Sequence, residues 1–187
     1  MKKGKWIKGP GEEFLQEIRT RCPKVEIIAE DLGLLSKEVM EFVVACGFPG
    51  MKVLQFSFDA SKPSQNAPHT YPQYSVCYSG THDNTTVRGW FLEGFKKDVI
   101  LAERYFGLNQ KEGYTRGFIR GGMSCPSQLF IVQMQDWLDL DETARMNIPG
   151  TLGGNWQWRL SSEMLTDKLA KEIAYITKIF GRSQKGK

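Results

Sequence analysis

Four short apolar runs, separated by helical or loop sequence, limit what this chain can fold into. Val25-Glu26-Ile27-Ile28 leads into Ala29-Glu30-Asp31-Leu32-Gly33, and Tyr74-Ser75-Val76-Cys77-Tyr78 leads into Gly80-Thr81-His82-Asp83-Asn84. Met51-Lys52-Val53-Leu54-Gln55-Phe56-Ser57-Phe58 alternates, and Gln128-Leu129-Phe130-Ile131-Val132-Gln133-Met134 ends at Gln135-Asp136. Strands joined by such crossovers argue for an α/β protein with a parallel sheet. Parallel strands share a direction, so their polar endings gather on one face. Carboxylates are costly in a core. At the carboxyl-end face of a β/α barrel, where active sites form, they are useful. Two of them from different strands suggest paired-carboxylate chemistry on a sugar.

The remaining elements follow from periodicity and caps. Phe14, Leu15 and Ile18 have helical spacing over 11–21, and Pro23 ends that helix. Ser36 reads as the N-cap of a helix over 37–46 that Gly47 closes. The Pro, Ser, Asn and Gln content of 59–73 predicts a long surface loop containing His69. One long helix is expected over 87–106, stopped by Gly107, and a Gly-rich stretch to Pro126 that is ambiguous. Leu165, Leu169, Ile173, Ile176 and Ile179 form one apolar face of a last helix over 162–180.

The 187 residues suffice for one domain with a real core but fall short of a complete eight-stranded β/α barrel of ~250 residues. The net charge of +4 is modest and reads as scattered solvated Lys and Arg, not as a nucleic-acid surface. Basic clusters occur only at the two tips, which read as frayed ends. Cys22, Cys46, Cys77 and Cys125 are widely spaced, and with two histidines they offer no metal-ligand spacing, so no metal is expected. Cys46 and Cys77 fall in apolar runs and read as small packing residues. There is no apolar h-region near the N-terminus and no run near ~18 apolar residues, so a cytoplasmic protein without a membrane span is expected.

With these motifs in view, the chain resembles the amylomaltase or disproportionating-enzyme family, the 4-α-glucanotransferases of the α-amylase superfamily. The resemblance rests on Gly4-Lys5-Trp6-Ile7-Lys8-Gly9-Pro10-Gly11, Ile28-Ala29-Glu30-Asp31-Leu32-Gly33 and Gly47-Phe48-Pro49-Gly50-Met51-Lys52-Val53-Leu54-Gln55-Phe56. It continues through Tyr78-Ser79-Gly80-Thr81-His82-Asp83-Asn84-Thr85, Gln135-Asp136-Trp137-Leu138, Ala144-Arg145-Met146-Asn147-Ile148-Pro149-Gly150-Thr151 and Gly154-Asn155-Trp156-Gln157-Trp158-Arg159-Leu160. Any one tetrapeptide is weak, whereas all of them in one order are specific.

The resemblance implies the C-terminal half of a (β/α)8 TIM-type barrel, strands five to eight, with 1–187 as a single segment of it. By motif, Glu30 takes the acid/base position, Asp83 that of the transition-state-stabilising carboxylate, and His82 that of a histidine that hydrogen-bonds sugar hydroxyls. No stretch matches the family's nucleophile motif, an Ile-Asp-His-Phe-Arg-like sequence. The resemblance thus implies an upstream segment carrying the nucleophile and no turnover by the 187 residues alone. It implies α-1,4-glucans and maltooligosaccharides as partners and no cofactor.

Other readings of the same residues stay open. Asp83 could equally cap the following helix. Asp31, pointing away from Glu30 in an extended strand, could contact a neighbouring sugar or orient a loop. Asn155 follows the Gly-rich 150–154 and reads as a substrate contact, with Trp156 and Trp158 mostly packing. Arg145 and Arg159 read as structural ion pairs, and Asp136 as either structural or functional. As a whole, the chain could also be a non-catalytic fragment that only binds glucan or self-associates through exposed strand edges. A debranching or hydrolytic relative is a third reading, against which Arg145-Met146-Asn147 and Gly154-Asn155-Trp156 favour the amylomaltase group.

Overall fold

The computed structural model describes residues 5, 7–33, 35–63 and 66–183. Trp6 and most of both basic tips lie outside the described residues. The chain divides into two compact units, Met1–Met51 and Lys52–Lys187.

In the first unit, helix α1 (Glu12–Arg21) and helix α2 (Lys37–Cys46) end where their caps predict. The Ser36 hydroxyl accepts from the Val39 N–H, and Gly47 closes α2 at φ 62°, a left-handed conformation that favours glycine. Arg19 on α1 donates to the Cys46 carbonyl and lies 5.5 Å over the Phe48 ring. The expected first strand over 25–29 does not form: its one ladder contact is a parallel bridge between Ala29 and Gly50. Parallel strands are stable when both faces are covered, whereas here Val25 is 61% and Ile28 40% exposed.

Strand β1 (Gly50–Val53) starts at the end of this unit and continues into the second. The expected strand over 51–58 is cut short, because Leu54–Ser57 turns into a 3-10 helix. Burial there does not alternate: Leu54, Gln55, Ser57 and Phe58 are all buried. Strand β2 (Ser75–Tyr78) and strand β3 (Leu129–Ile131) are parallel, with Cys77 opposite Phe130, and the sheet order is β1-β2-β3. Three strands are therefore observed among the described residues where four were expected.

The single helix expected over 87–106 is two, α3 (Val87–Glu93) and α4 (Lys96–Phe106). The break falls at Gly94, whose backbone turns extended (φ −67°, ψ 161°) and where a Cβ would sit 2.5 Å from the Trp90 carbonyl. The ambiguous Gly-rich segment is helix α5 (Tyr114–Met123). Its glycines serve close packing: a Cβ at Gly121 would enter the Phe106 ring, and one at Gly122 the Phe130 ring. Neighbouring Phe118 and Ile119, both fully buried, feed different cores. Phe118 joins Leu54, Phe58, Cys77 and Val87 in an aromatic-rich cluster; Ile119 joins Met123, Trp137 and Leu169. A short helix α6 (Met134–Trp137) follows β3. The last helix, α7 (Asp167–Ile179), begins later than its apolar pattern, at the Thr166 cap, after a 3-10 turn over Ser162–Met164.

The 59–73 loop is tied to α4. The Ala60 N–H donates to Asp98 (2.8 Å), and His69 Nδ1 lies 2.7 Å from the Tyr105 hydroxyl.

Helix propensity alone favours Gly122→Ala by about 1 kcal/mol. The contact with Phe130 reverses the sign, and a net loss of about 1–3 kcal/mol is expected from overpacking. Urea unfolding of the two proteins measures it.

Candidate active site

Glu30 and Asp31 follow the Ala29–Gly50 bridge in the first unit. Glu30 is exposed. One oxygen of Asp31 accepts from the Met51 N–H at 2.7 Å, and the carboxylate fills the space where a Cβ on Gly50 would be. Asp31 thus orients the backbone that enters β1.

In the second unit the residues after β2 form a braced loop. Ser79 extends the ladder with its N–H on the Ile131 carbonyl (3.0 Å). Its hydroxyl donates to Asp136 Oδ2 (2.6 Å) and accepts from the Gln133 N–H (3.2 Å). Asp136 Oδ1 takes the Val87 N–H (2.7 Å), one of the first-turn donors that α3 cannot satisfy itself. Asp136, fully buried, is therefore structural. At Gly80 there is no room for a Cβ between Gln133 Nε2 and Gln55 Nε2, which would lie at 2.7 and 2.9 Å. These amides donate to the carbonyls of Thr81 (3.3 Å) and Thr85 (2.9 Å). Asn84 Oδ1 closes the turn by accepting from the Thr81 N–H and hydroxyl.

This bracing presents His82 and Asp83 at the surface, each side chain about half exposed and His82 Nε2 3.4 Å from Asp83 Oδ1. Asp83 is not the cap of α3; Thr86 has that role, accepting from the Gly89 N–H at 3.0 Å. A second segment completes the cluster. Asn147 Nδ2 donates to Asp83 Oδ1 (2.6 Å), and the Asn147 N–H donates to the His82 carbonyl (3.1 Å). Arg145 donates to the Asp83 carbonyl and, through Nε, to the Asn147 carbonyl (2.8 Å). Arg145 and Arg159 were expected to hold ion pairs; both instead donate to backbone carbonyls, Arg159 to those of Trp156 and Trp158.

Trp156 also departs from the packing role expected of it. It is 51% exposed, its ring lies 5.0 Å from that of His82, and its φ is 63°. A bulky residue in the left-handed region is strained, and such strain concentrates at functional sites. Trp158 is half-buried. The Asn155 side chain accepts from the Ile148 N–H (2.9 Å) and donates to the Thr151 hydroxyl (3.0 Å), holding the 148–155 turn closed.

Asp83, His82, Asn147 and Trp156 therefore meet in one surface cluster. It pairs a half-exposed carboxylate with a flat apolar ring face, a combination that suits a sugar ring and its hydroxyls. The sequence pattern marked Asp83 and His82 but missed Asn147 as their partner; its signal was an amide side chain inside a motif quoted only as a family tag. Among the described residues no group of three or more His, Cys, Asp or Glu is placed to hold a metal ion, and no helix is long and apolar enough to cross a membrane.

The family model described as 4-alpha-glucanotransferase matches residues 1–166. The chain belongs to the 4-alpha-glucanotransferase family. A 4-alpha-glucanotransferase of Clostridium butyricum is 46% identical over 182 residues, which are 97% of this chain and 37% of the relative. The chloroplastic/amyloplastic 4-alpha-glucanotransferase of Solanum tuberosum is 39% identical, with 96% of this chain and 32% of the relative covered. The structure superposes with a TM-score of 0.90 on an amylomaltase from Streptococcus agalactiae in complex with acarbose, at 37% identity, covering 97% of this chain and 37% of that one. The chain thus spans about a third of the length of these relatives. Every residue of the cluster lies inside the stretch matched by the 4-alpha-glucanotransferase model.

Burial pushes the Asp136 carboxyl up to about 6. The bonds from Ser79 and the Val87 N–H lower it again in part, and the nearby Asp139 charge adds to the rise. The folded state therefore holds a proton that the unfolded state releases above the ordinary value of 3.8. This group's stabilising contribution is full below that value and is lost as pH rises through about 6. Asp136→Asn is expected to remove that slope from stability measured across this window. Asp136→Ala is expected to cost about 2–4 kcal/mol in urea unfolding at neutral pH, by stranding the Ser79 hydroxyl and Val87 N–H.

Proposed function

We propose that this chain carries the acid/base and transition-state-stabilising residues of a 4-α-glucanotransferase that transfers glucanosyl units between α-1,4-glucans or maltooligosaccharides. The observation that carries the reading is the Asp83 carboxylate, held by Asn147 and His82 beside the exposed Trp156 on the loop after β2. It is supported by membership of the family and by the likeness to an amylomaltase solved with acarbose. In this reading the 187 residues are one segment contributing strands five to eight of a (β/α)8 barrel.

Glu30 protonates the leaving glycosidic oxygen, then deprotonates the incoming sugar 4-hydroxyl. Asp83 binds the hydroxyls of the distorted donor sugar and favours the oxocarbenium-like transition state. His82 and Asn155 serve donor recognition, Asn155 through the turn that it holds, and Asp31 orients the backbone beside Glu30. A retaining transfer needs a nucleophile as well, and no stretch of the 187 residues matches that motif. The nucleophile therefore comes from a segment that these residues do not include. Four free cysteines fit a reducing compartment such as the cytoplasm.

The test joins this chain to the part of the Clostridium butyricum relative that it does not cover and supplies maltotriose. Glucose and longer maltooligosaccharides are expected from the joined protein and none from the 187 residues alone. Glu30→Gln should lower kcat by about 10²–10⁴-fold, and Asn147→Ala should lower kcat/KM by about 10–100-fold through the lost bond to Asp83. Full activity of the Glu30→Gln protein would remove Glu30 from its role.

A second reading is favoured by β3, which ends the observed sheet with Leu129 47% and Ile131 38% exposed. An open apolar edge strand is a template for pairing, so the isolated chain is expected to self-associate. Sedimentation should show a mass that rises with concentration and falls back to monomer with Ile131→Lys; a concentration-independent monomer contradicts it.

A further inference from the structure

The surface cluster uses Trp156 but leaves its neighbour Trp158 without a role. Trp158 lines a separate cavity of about 360 Å³, together with Met164 and the polar Arg88, Asp139, Asp141 and Thr143. Neither Asp83, His82, Asn147 nor Trp156 borders it. Ligand cavities have volumes of roughly 300–1,000 Å³ and combine apolar surface with a few placed polar groups.

The walls of this cavity are fixed. Arg88, at the start of α3, donates through Nη1 to the Asp139 carbonyl (3.1 Å) and lies 3.6 Å from Asp139 Oδ2. Thr115 on α5 donates its hydroxyl to Asp139 Oδ1 (2.5 Å). Asp139 is held at φ 53°, a left-handed conformation uncommon for a residue other than glycine, and such positions recur at ligand clamps. Asp141 caps the 3-10 turn Glu142–Ala144, taking the Thr143 N–H (3.2 Å) and hydroxyl (2.6 Å), both on Oδ1. Among the described residues, Arg88 Nε and Nη2 and Asp141 Oδ2 make no hydrogen bond. Donors and an acceptor thus stand open at a cavity that is already built.

The charge pattern narrows the ligand. Two carboxylates stand beside one guanidinium, which disfavours an anion, and the guanidinium opposes a cation. A neutral polyhydroxy ring suits the lining. Its apolar face fits an indole, and its hydroxyls can accept from a guanidinium and donate to a carboxylate. The cavity also shares its supports with the surface cluster. Arg159 Nη1 donates to the carbonyls of both Trp156 and Trp158 (2.8 Å each), and the turn Glu142–Ala144 runs directly into Arg145 and Asn147. Two residues of chain span at most ~7 Å, so the Trp156 and Trp158 backbones lie close together.

We propose that this cavity is a second glucan-binding subsite, in which one glucose residue rests on Trp158 with its hydroxyls on Arg88 and Asp141. The choice of glucose rests on the glucan-transferring reading above. A chain that occupies the cavity and the cluster together is held at two points, which favours long glucans over maltotriose.

The full chain is labelled with carbon-13 at its methionine methyls and titrated with maltoheptaose, followed by NMR. Met164 borders the cavity, whereas Met146 lies between Arg145 and Asn147, so the two methyls report on the two sites separately. A saturable shift of the Met164 signal, identified with Met164→Leu, is expected. Trp158→Ala should weaken the binding it reports by about 3–10-fold. Arg88→Gln, at an exposed position, should weaken it by a similar factor and serves alone if Trp158→Ala does not fold. In the joined protein, Trp158→Ala should raise KM for amylose more than KM for maltotriose. Turnover by the joined protein without a Met164 shift would reject this subsite alone. A Met164 shift without turnover would reject the transfer reading and keep the subsite. A Met164 methyl moved equally by inorganic phosphate, or unchanged affinity in the folded variants, would overturn the proposal.

Discussion

The buried Asp136 carboxylate is the interaction on which the rest of the larger unit turns. It takes the Ser79 hydroxyl at the end of β2 and the Val87 N–H at the start of α3, while it sits on α6. Burying a charge without partners is prohibitive, but charge-assisted hydrogen bonds to both oxygens offset much of that cost. The loop between Ser79 and Val87 is then fixed at both ends by a single side chain. Gln55 and Gln133 hold its middle through carbonyls. With so many anchors, His82 and Asp83 need no burial of their own to be fixed.

Helix ends were legible because caps are local. Ser36, Gly47 and Gly107 stop or start helices by chemistry confined to a few residues, and the structure follows them. Failures occurred where a distant neighbour decides. The 25–29 run has strand composition but little cover, so it contributes one bridge. Composition argues against a helix at α5, yet Phe106 and Phe130 press on Gly121 and Gly122 and make the glycines necessary.

The site shows the same division. Asp83 and His82 stand out beside each other after a strand, and the structure brings them together. Asn147, which bonds Asp83 from 64 residues away, carries no one-dimensional mark of that contact. Trp156 was read as packing because tryptophan usually is, but its positive φ turns the ring outward against His82. Asp136 stayed ambiguous in the sequence because a strand-end carboxylate looks the same whether it faces a ligand or a neighbouring helix.

The geometry around Asp83 also bears on how such a carboxylate can work. Both of its side-chain contacts, from Asn147 and His82, fall on Oδ1, and among the described residues Oδ2 accepts no hydrogen bond. Arg145 fixes the backbone behind it by holding the Asp83 and Asn147 carbonyls together. The group is therefore oriented from one side and open on the other. A carboxylate fixed in this way need not reorganise when it meets a hydroxyl or a growing positive charge, and preorganisation of this kind makes electrostatic stabilisation effective. The bracing that starts at a buried carboxylate, Asp136, thus ends by leaving one oxygen of an exposed carboxylate, Asp83, free for a ligand.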